Sequence, residues 1–237
     1  MKNQHLKLYL FLTGLAILLI LPATTLAQVF NYKTDFESVL KRTKDSTDAL
    51  FYQNLAKRFD KNDSSLSDFE ILALLINYTS NKNYTPYKVI NQEDRIKKKL
   101  SVFQFDEAIR ISDSVLSFHP YNQMILFQKS YAFFKLEQID SANFYKYKFN
   151  RIMDAMAISG SGTFDDAIFS LGSKDSENYI YKRLAKQIMQ IGSSVDSSGN
   201  FIDVIQITDH QKDTSILYFQ IQHAINKLID TKDESPE

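Results

Sequence analysis

The chain has no cysteine among its 237 residues. This absence excludes a disulfide framework, a thiolate zinc site, a cysteine nucleophile and a lipid-modified cysteine behind a signal peptide. Small secreted eukaryotic domains commonly rely on disulfides. An exported chain without cysteine therefore fits a bacterial envelope better than a eukaryotic secretory pathway.

Net charge is also lacking, because 28 basic residues balance 28 acidic ones. Without a positive field, wholesale binding of nucleic acid has little electrostatic support. The one basic cluster, Arg95 with Lys97 to Lys99, is typical of a solvated helix face. We predict no nucleic-acid partner.

The N-terminal segment has the three parts of a secretory signal peptide. Lys2 and Lys7 precede an apolar run over residues 8–21, and small residues then end at Ala27. The alternative is an uncleaved membrane anchor. No second apolar run long enough for a membrane helix follows. We therefore predict a signal peptide at 1–27 and an exported, periplasmic or extracellular protein of the bacterial envelope, without stable membrane insertion once the signal is cleaved.

Residues 28–157 have the pattern of a helical region. Glycine and proline are nearly absent from 34 to 156, apolar residues recur at spacings of three and four, and Ser67 with Glu70 forms a capping box. FDEAI at 105–109 aligns with IDSAN at 139–143, which sets Ala108 over Ala142. We call this offset, 142 minus 108 or 34 residues, the repeat shift. A period of this length, with a small residue early in the second helix of each pair and a terminating Pro120, resembles the tetratricopeptide repeat.

The glycine loop ISGSGTFDDAI at 158–168 could be a phosphate cradle or a structural joint. A phosphate loop needs a lysine before its Ser or Thr, or a strand before it and a helix after it, and this loop has neither. The pattern favours a joint in which Gly160 and Gly162 end the preceding helix in a left-handed cap.

Residues 158–229 are predicted to form a small αβ module. AIFSL at 167–171 indicates a short strand, 178–191 a helix, and 201–208 and 215–223 an antiparallel hairpin. The acidic composition of 230–237 is typical of a disordered tail. The predicted fold class is α+β: a tetratricopeptide-like antiparallel helical array followed by a small β-containing C-terminal module.

No motif points to a metal or a cofactor. Asp60, Asn62 and Ser64 alternate as in a calcium loop, but Ser65 stands where glycine is required and Ile71 where a bidentate glutamate is required. The histidines lie at no metal-binding spacing, and no hydrolase elbow is present. We predict no metal site, no cofactor and no assignable catalytic residue.

Several segments in this order resemble an uncharacterised bacterial family, the domain of unknown function 4919. They are RFDKNDSSLSDFE, NYTPY at 83–87, AISGSGTFDDAIFSL and ILYFQI, and the resemblance covers most of Phe51 to Ile221. It implies an envelope or extracellular location, no assigned activity and no catalytic residues.

Three functions remain open. The first is a non-enzymatic module that binds a protein or peptide partner in the envelope through Tyr84, Tyr87 and Tyr121, unless these aromatic residues belong to the core. The second is a hydrolase of envelope polymers that uses Asp165 or Asp166 in a carboxylate pair. The third is a structural subunit that pairs the strand edge of 215–223 with a neighbour. A deep polar cleft favours the enzyme, whereas an apolar groove or open edge favours the others.

Overall fold

A computed structural model describes residues 30–209 and 211–233, with the backbone alone at 231–233. The predicted signal peptide and residues 234–237 of the predicted tail lie outside this range. The fold class is α+β, as predicted. In the described chain the helices that precede the sheet are α1 Tyr32–Lys44, α2 Tyr52–Asp60, α3 Asp68–Tyr78, α4 Ile90–Ser101, α5 Phe105–Leu116, α6 Gln123–Lys135 and α7 Ile139–Ala157.

Helix α3 begins at the predicted capping box and forms the centre of the core. The Ser67 hydroxyl accepts from the Glu70 amide at 3.2 Å, and the Glu70 carboxylate accepts from the Ser67 amide at 2.7 Å. Every residue from 71 to 76 is buried. A helix that is apolar all round must be covered on all sides, and α1, α2 and α7 contact it.

Two helical hairpins, α4–α5 and α6–α7, are related by the repeat shift that the sequence indicates. Their turns contain Phe103 and Glu137, which occupy equivalent positions and have left-handed φ angles of 57° and 60°. The amides of Gln104 and Gln138, which follow, donate to the carbonyls of Lys99 and Phe133 at 3.0 Å in both turns. The repeat is confirmed in the backbone, while the likeness to the tetratricopeptide repeat stays a prediction.

The glycine loop joins α7 to the sheet, but not by the mechanism that we predicted. Helix α7 ends at Ala157, and its cap, Ile158, is right-handed, so glycine does not form the cap. A Cβ on Gly160 would lie 2.5 Å from the Ala167 carbonyl oxygen, and Gly162 has a φ of +79°. The two glycines therefore allow a close backbone approach and a left-handed turn past the end of the helix.

The sheet has the order β1–β4–β3–β2. Its strands are β1 Ile168–Phe169, β2 Gln187–Val195, β3 Phe201–Thr208 and β4 Thr214–Gln220. The pairs β2–β3 and β3–β4 are antiparallel, and β1–β4 is parallel. The strand predicted at 201–208 is confirmed over its whole length, and the one predicted at 167–171 is confirmed at residues 168–169.

Two predicted elements near the sheet are wrong in extent. The helix predicted over 178–191 is α8, Ser173–Tyr179, which continues as a π-helical turn through Leu184. Ala185 is then left-handed, and the chain enters β2, where Ile188 and Ile191 pair with Ile207 and Ile205 of β3. Pairing of these isoleucines with the neighbouring strand overrides the helical spacing.

The strand predicted over 215–223 ends at Gln220, and helix α9, Gln222–Asp233, follows it. We did not predict this helix, whose backbone includes the first residues of the predicted tail. His223, in its first turn, is buried and stacks on Phe169 of β1, with ring centroids 4.7 Å apart. Packing of this turn against β1 ends the strand earlier than the alternation of apolar residues indicates.

One hydrophobic core runs through both halves of the chain. It includes Phe36 of α1, Leu72 of α3, Met156 of α7, Phe219 of β4 and Ala224 of α9. A smaller second cluster lies between the hairpins. No helix in the described ranges is both long and apolar enough to cross a membrane.

Candidate functional site

The tyrosines predicted to contact a partner lie mostly in the core. Tyr84 and Tyr121 are buried; the Tyr84 hydroxyl donates to the Leu171 carbonyl, and the Tyr121 hydroxyl lies 3.3 Å from that of Tyr52. Neither side chain is accessible to a partner at the surface. The prediction that Tyr84 and Tyr121 are binding residues is therefore wrong. Tyr87 is only half-buried, and burial raises its pKa.

The acidic residues of the glycine loop contact a lysine and backbone amides of the loop. Asp165 is exposed and lies 3.8 Å from the Lys33 ammonium. The Asp166 carboxylate accepts from the Ser161 amide at 2.8 Å, and its carbonyl accepts from the Gly162 amide at 2.9 Å. The Ser161 and Gly162 amides are therefore both bonded to Asp166, which shapes the joint.

Strand β2 is an open edge of the sheet, and the strand that we predicted, β4, is covered by β1 only at its end, where Phe219 and Gln220 pair. Strand β4 lies between β3 and β1, and its Tyr218 amide donates to the Gly162 carbonyl at 3.0 Å. Strand β2 is exposed along nearly all of its length, including Met189 and Ile191. Its outer backbone groups have no neighbouring strand within the described sheet.

An apolar groove of about 370 Å³ lies between α6 and α7. Its floor is formed by Ser130, Ala142 and Phe149, which are buried, and the Ser130 hydroxyl donates to the Ala142 carbonyl at 2.8 Å. That contact holds the two helices close together. Three large side chains on its rim are exposed: Tyr131 (41%), Phe134 (57%) and Ile139 (48%). We call this surface the α6–α7 groove.

The α6–α7 groove corresponds to a surface that is covered in the preceding hairpin. In the α4–α5 hairpin, the equivalent surface packs against Ile125 and Ala132 of α6. The repeat shift relates the two surfaces: Ser130, Phe134, Ile139, Ala142 and Phe149 correspond to Ile96, Leu100, Phe105, Ala108 and Val115. Helix α6 thus covers this surface of the α4–α5 hairpin, whereas no helix of the described chain covers the α6–α7 groove.

Three lysines line or flank the α6–α7 groove. Lys146 lines it, and no acidic residue does. The Lys182 ammonium lies 4.3 Å from the centre of the Phe127 ring, and that of Lys135 lies 5.4 Å from the Tyr131 ring. Lysines placed over aromatic faces in this way make the groove receptive to an apolar surface with acidic edges.

A small polar cavity lies elsewhere, between α4 and α8. Glu93 is buried there; its Oε1 accepts from the Asn122 side-chain amide at 2.8 Å, and its Oε2 has no partner. Asp175 Oδ1 is shielded and also unpartnered. Burial raises the pKa of both carboxyls, and that of Asp175 rises well above its usual value, with the Glu93 charge as a second cause.

His119 lies at the mouth of this cavity. Its Nδ1 is 3.0 Å from the Tyr78 hydroxyl, and burial lowers its pKa. The cavity volume of about 20 Å³ leaves room for roughly one water molecule. A sugar ring does not fit, so the cavity is no polymer-cleaving cleft in this conformation. Among the described residues, no three acidic or histidine side chains are grouped to hold a metal.

Residues 37–229 match the family described as a domain of unknown function (DUF4919). The chain belongs to this family. No curated protein and no solved structure matches the chain. The matched DUF4919 region includes both hairpins, the glycine loop and the whole sheet.

Sequence reasoning missed the groove in this DUF4919 domain, although its signal was present. Phe134 lies at the repeat position of Leu100, which packs against the cluster between the hairpins. The repeat stops after α7, because the chain turns at Gly160 towards the sheet. The last unit of a stacked array has one face without a neighbour, and applying this rule to the repeat shift would have identified the exposed rim.

Proposed function

We propose that the protein is an exported, non-enzymatic module of the bacterial envelope that binds a helical segment of a protein partner in the α6–α7 groove. One observation carries the proposal: the groove consists of the repeat positions that hold α6 against the first hairpin. Export and an envelope location depend on the N-terminal segment and the lack of cysteine. Binding of an amphipathic helix in an apolar groove is a common mode of peptide recognition.

The way in which α6 packs specifies the chemistry of the partner helix. Helix α6 presents Ile125 and Ala132, one heptad apart, to the first hairpin. A helix in the α6–α7 groove therefore needs an aliphatic and a small side chain at the same spacing, so that it can approach Ser130 and Ala142 closely. Acidic residues at its edges would complement Lys135, Lys146 and Lys182.

The test compares two equally exposed phenylalanines. In residues 28–237, Phe134→Glu places a charge on the groove rim, and Phe118→Glu does the same outside the groove; the parent side chains are 57% and 59% exposed. An envelope protein captured by the wild-type chain should bind Phe134→Glu at least about tenfold more weakly, as expected for an aromatic side chain that the partner buries. Phe118→Glu should bind it like the wild type.

Two further measurements identify the occupant. Hydrogen exchange of the captured partner should show protection confined to one helical segment with the heptad spacing described above. Equal loss of binding in both variants, or protection of an extended segment, would overturn the proposal. A concentration-dependent dimer in sedimentation that Phe134→Glu abolishes would assign the groove to a second copy of the chain and contradict binding of a different protein.

A further inference from the structure

A second groove, of about 400 Å³, lies between the beginning of α4 and one face of α5. It is separate from the α6–α7 groove and belongs to the other hairpin. Its floor is apolar, and its walls are polar or charged. The side chains that line the walls are Lys88, Gln92, Arg95, Arg110, Ser114 and His119, and Phe118 is exposed.

Three cationic side chains converge on this groove from different places in the sequence. Lys88 precedes α4, Arg95 lies in α4 and Arg110 lies in α5. The Lys88 ammonium and the Arg95 guanidinium make no ion pair or hydrogen bond within the described residues. The Arg110 guanidinium is held by two hydrogen bonds to Glu107, at 2.7 and 2.9 Å.

No acidic side chain lines this groove. Glu93 and Asp175 line the neighbouring polar cavity, with which the groove shares Val89 and His119. Their carboxyls lie outside the groove wall, and burial favours their uncharged forms. The side chains that line the groove therefore carry positive charge, and the nearest acidic group, Glu107, is hydrogen-bonded to Arg110 and also interacts with the Arg95 charge.

We propose that this groove binds a small phosphomonoester with an apolar body. A doubly charged oxyanion gains more than a single carboxylate from three nearby cations, because the attraction scales with the product of the charges. Arginine guanidinium groups match the oxygens of a phosphate through paired hydrogen bonds. Ser114 and Gln92 add uncharged donors, and a floor of Val89, Ile111 and Val115 suits an apolar body.

The experiment uses phenyl phosphate as the probe and residues 28–237 as the protein, at pH 8 and constant ionic strength. Isothermal titration calorimetry should detect binding that is at least about tenfold weaker in Arg95→Ala. The matched control is Lys97→Ala, which removes the same charge from an exposed position on the same helix outside the groove. This variant should weaken binding less than about twofold, as expected for a screened distant charge.

Three outcomes would overturn the proposal. Equal weakening by Arg95→Ala and Lys97→Ala would indicate diffuse attraction to a basic helix and no site. Benzoate binding as tightly as phenyl phosphate would contradict the requirement for a doubly charged group. Amide chemical-shift changes should map to Ser114 and His119; changes confined to other parts of the chain would place the ligand elsewhere and overturn the assignment.

Discussion

The buried carboxyl of Asp175 should control part of the pH dependence of stability. Its folded pKa is raised well above the ordinary value, so between pH 4 and the folded pKa the native state keeps a proton that the unfolded chain has released. The stability contributed by this group is therefore fully present at low pH and falls as pH rises. Above the folded pKa, a shielded charge with an unpartnered Oδ1 remains.

The substitution Asp175→Asn keeps the shape of the side chain and removes its charge. At pH 7 we expect this variant to be more stable than the wild type by on the order of 1 kcal/mol or more. The difference should disappear near pH 4, where the wild-type carboxyl is protonated in the folded state. Urea unfolding at pH 4, 5.5 and 7 measures both effects. The exposed Asp165→Asn serves as the control and should match the wild type, whereas equal stability of Asp175→Asn at pH 7 would contradict the argument.

At the scale of the element, each of the two hairpin turns contains one residue in an unfavourable backbone conformation. Phe103 and Glu137 both adopt left-handed φ angles, which glycine adopts more easily than residues with a Cβ. Glycine also gains entropy in the unfolded chain, which offsets part of this benefit. We expect Glu137→Gly to raise the free energy of unfolding by about 0.5 kcal/mol, since the two effects oppose each other.

Chemical denaturation of three proteins tests this expectation. Gln138→Gly is the control, because Gln138 has a φ of −84° and its conformation does not call for glycine. This neighbouring substitution should destabilise the chain by about 0.4–1 kcal/mol, because glycine adds entropy to the unfolded chain and relieves no strain in the folded one. Destabilisation of similar size by both substitutions would indicate that the left-handed conformation of Glu137 does not lower the free energy of unfolding.

Elements defined by patterns within the sequence were predictable, and those defined by distant pairing were not. The capping box at Ser67 follows from a local spacing, and the two hairpins follow from the repeat shift. The beginning of strand β2 was predicted as the end of a helix, because the decisive contact is the pairing of Ile191 with Ile205, which lies across a turn in the next strand. Helix α9 was missed because its beginning depends on packing of His223 against Phe169.

The candidate sites were less predictable than the elements that form them. Tyrosine enrichment pointed to Tyr84 and Tyr121, which the fold buries. The basic residue at the second groove, Arg95, was assigned to a solvated helix face, since its convergence with Arg110 depends on the antiparallel packing of α4 and α5. A sequence shows the charge of a side chain, but only the fold shows which charges meet.

At the scale of the whole molecule, the hairpin region and the sheet are joined by a shared core. The His223 ring of α9 lies 5.8 Å from the Phe36 ring of α1 and 4.7 Å from the Phe169 ring of β1. Its Nε2 lies 2.8 Å from the Ser170 carbonyl oxygen and donates to it, while Nδ1 is 3.3 Å from the Tyr32 hydroxyl. Burial lowers its pKa to about 3, so the ring is neutral at pH 7. The two ends of the described chain therefore meet at one side chain.

Because of this shared core, we expect residues 28–237 to unfold in one cooperative transition, with equal calorimetric and van't Hoff enthalpies. The fragment 28–157, which ends with α7, should give no cooperative transition, since it loses the partners of Phe36 and Met156 in β1, β4 and α9. Scanning calorimetry and circular dichroism of both chains provide the test. A fragment that melts cooperatively on its own would show that the helical hairpins form an independent domain, and the sheet would then be an appended module.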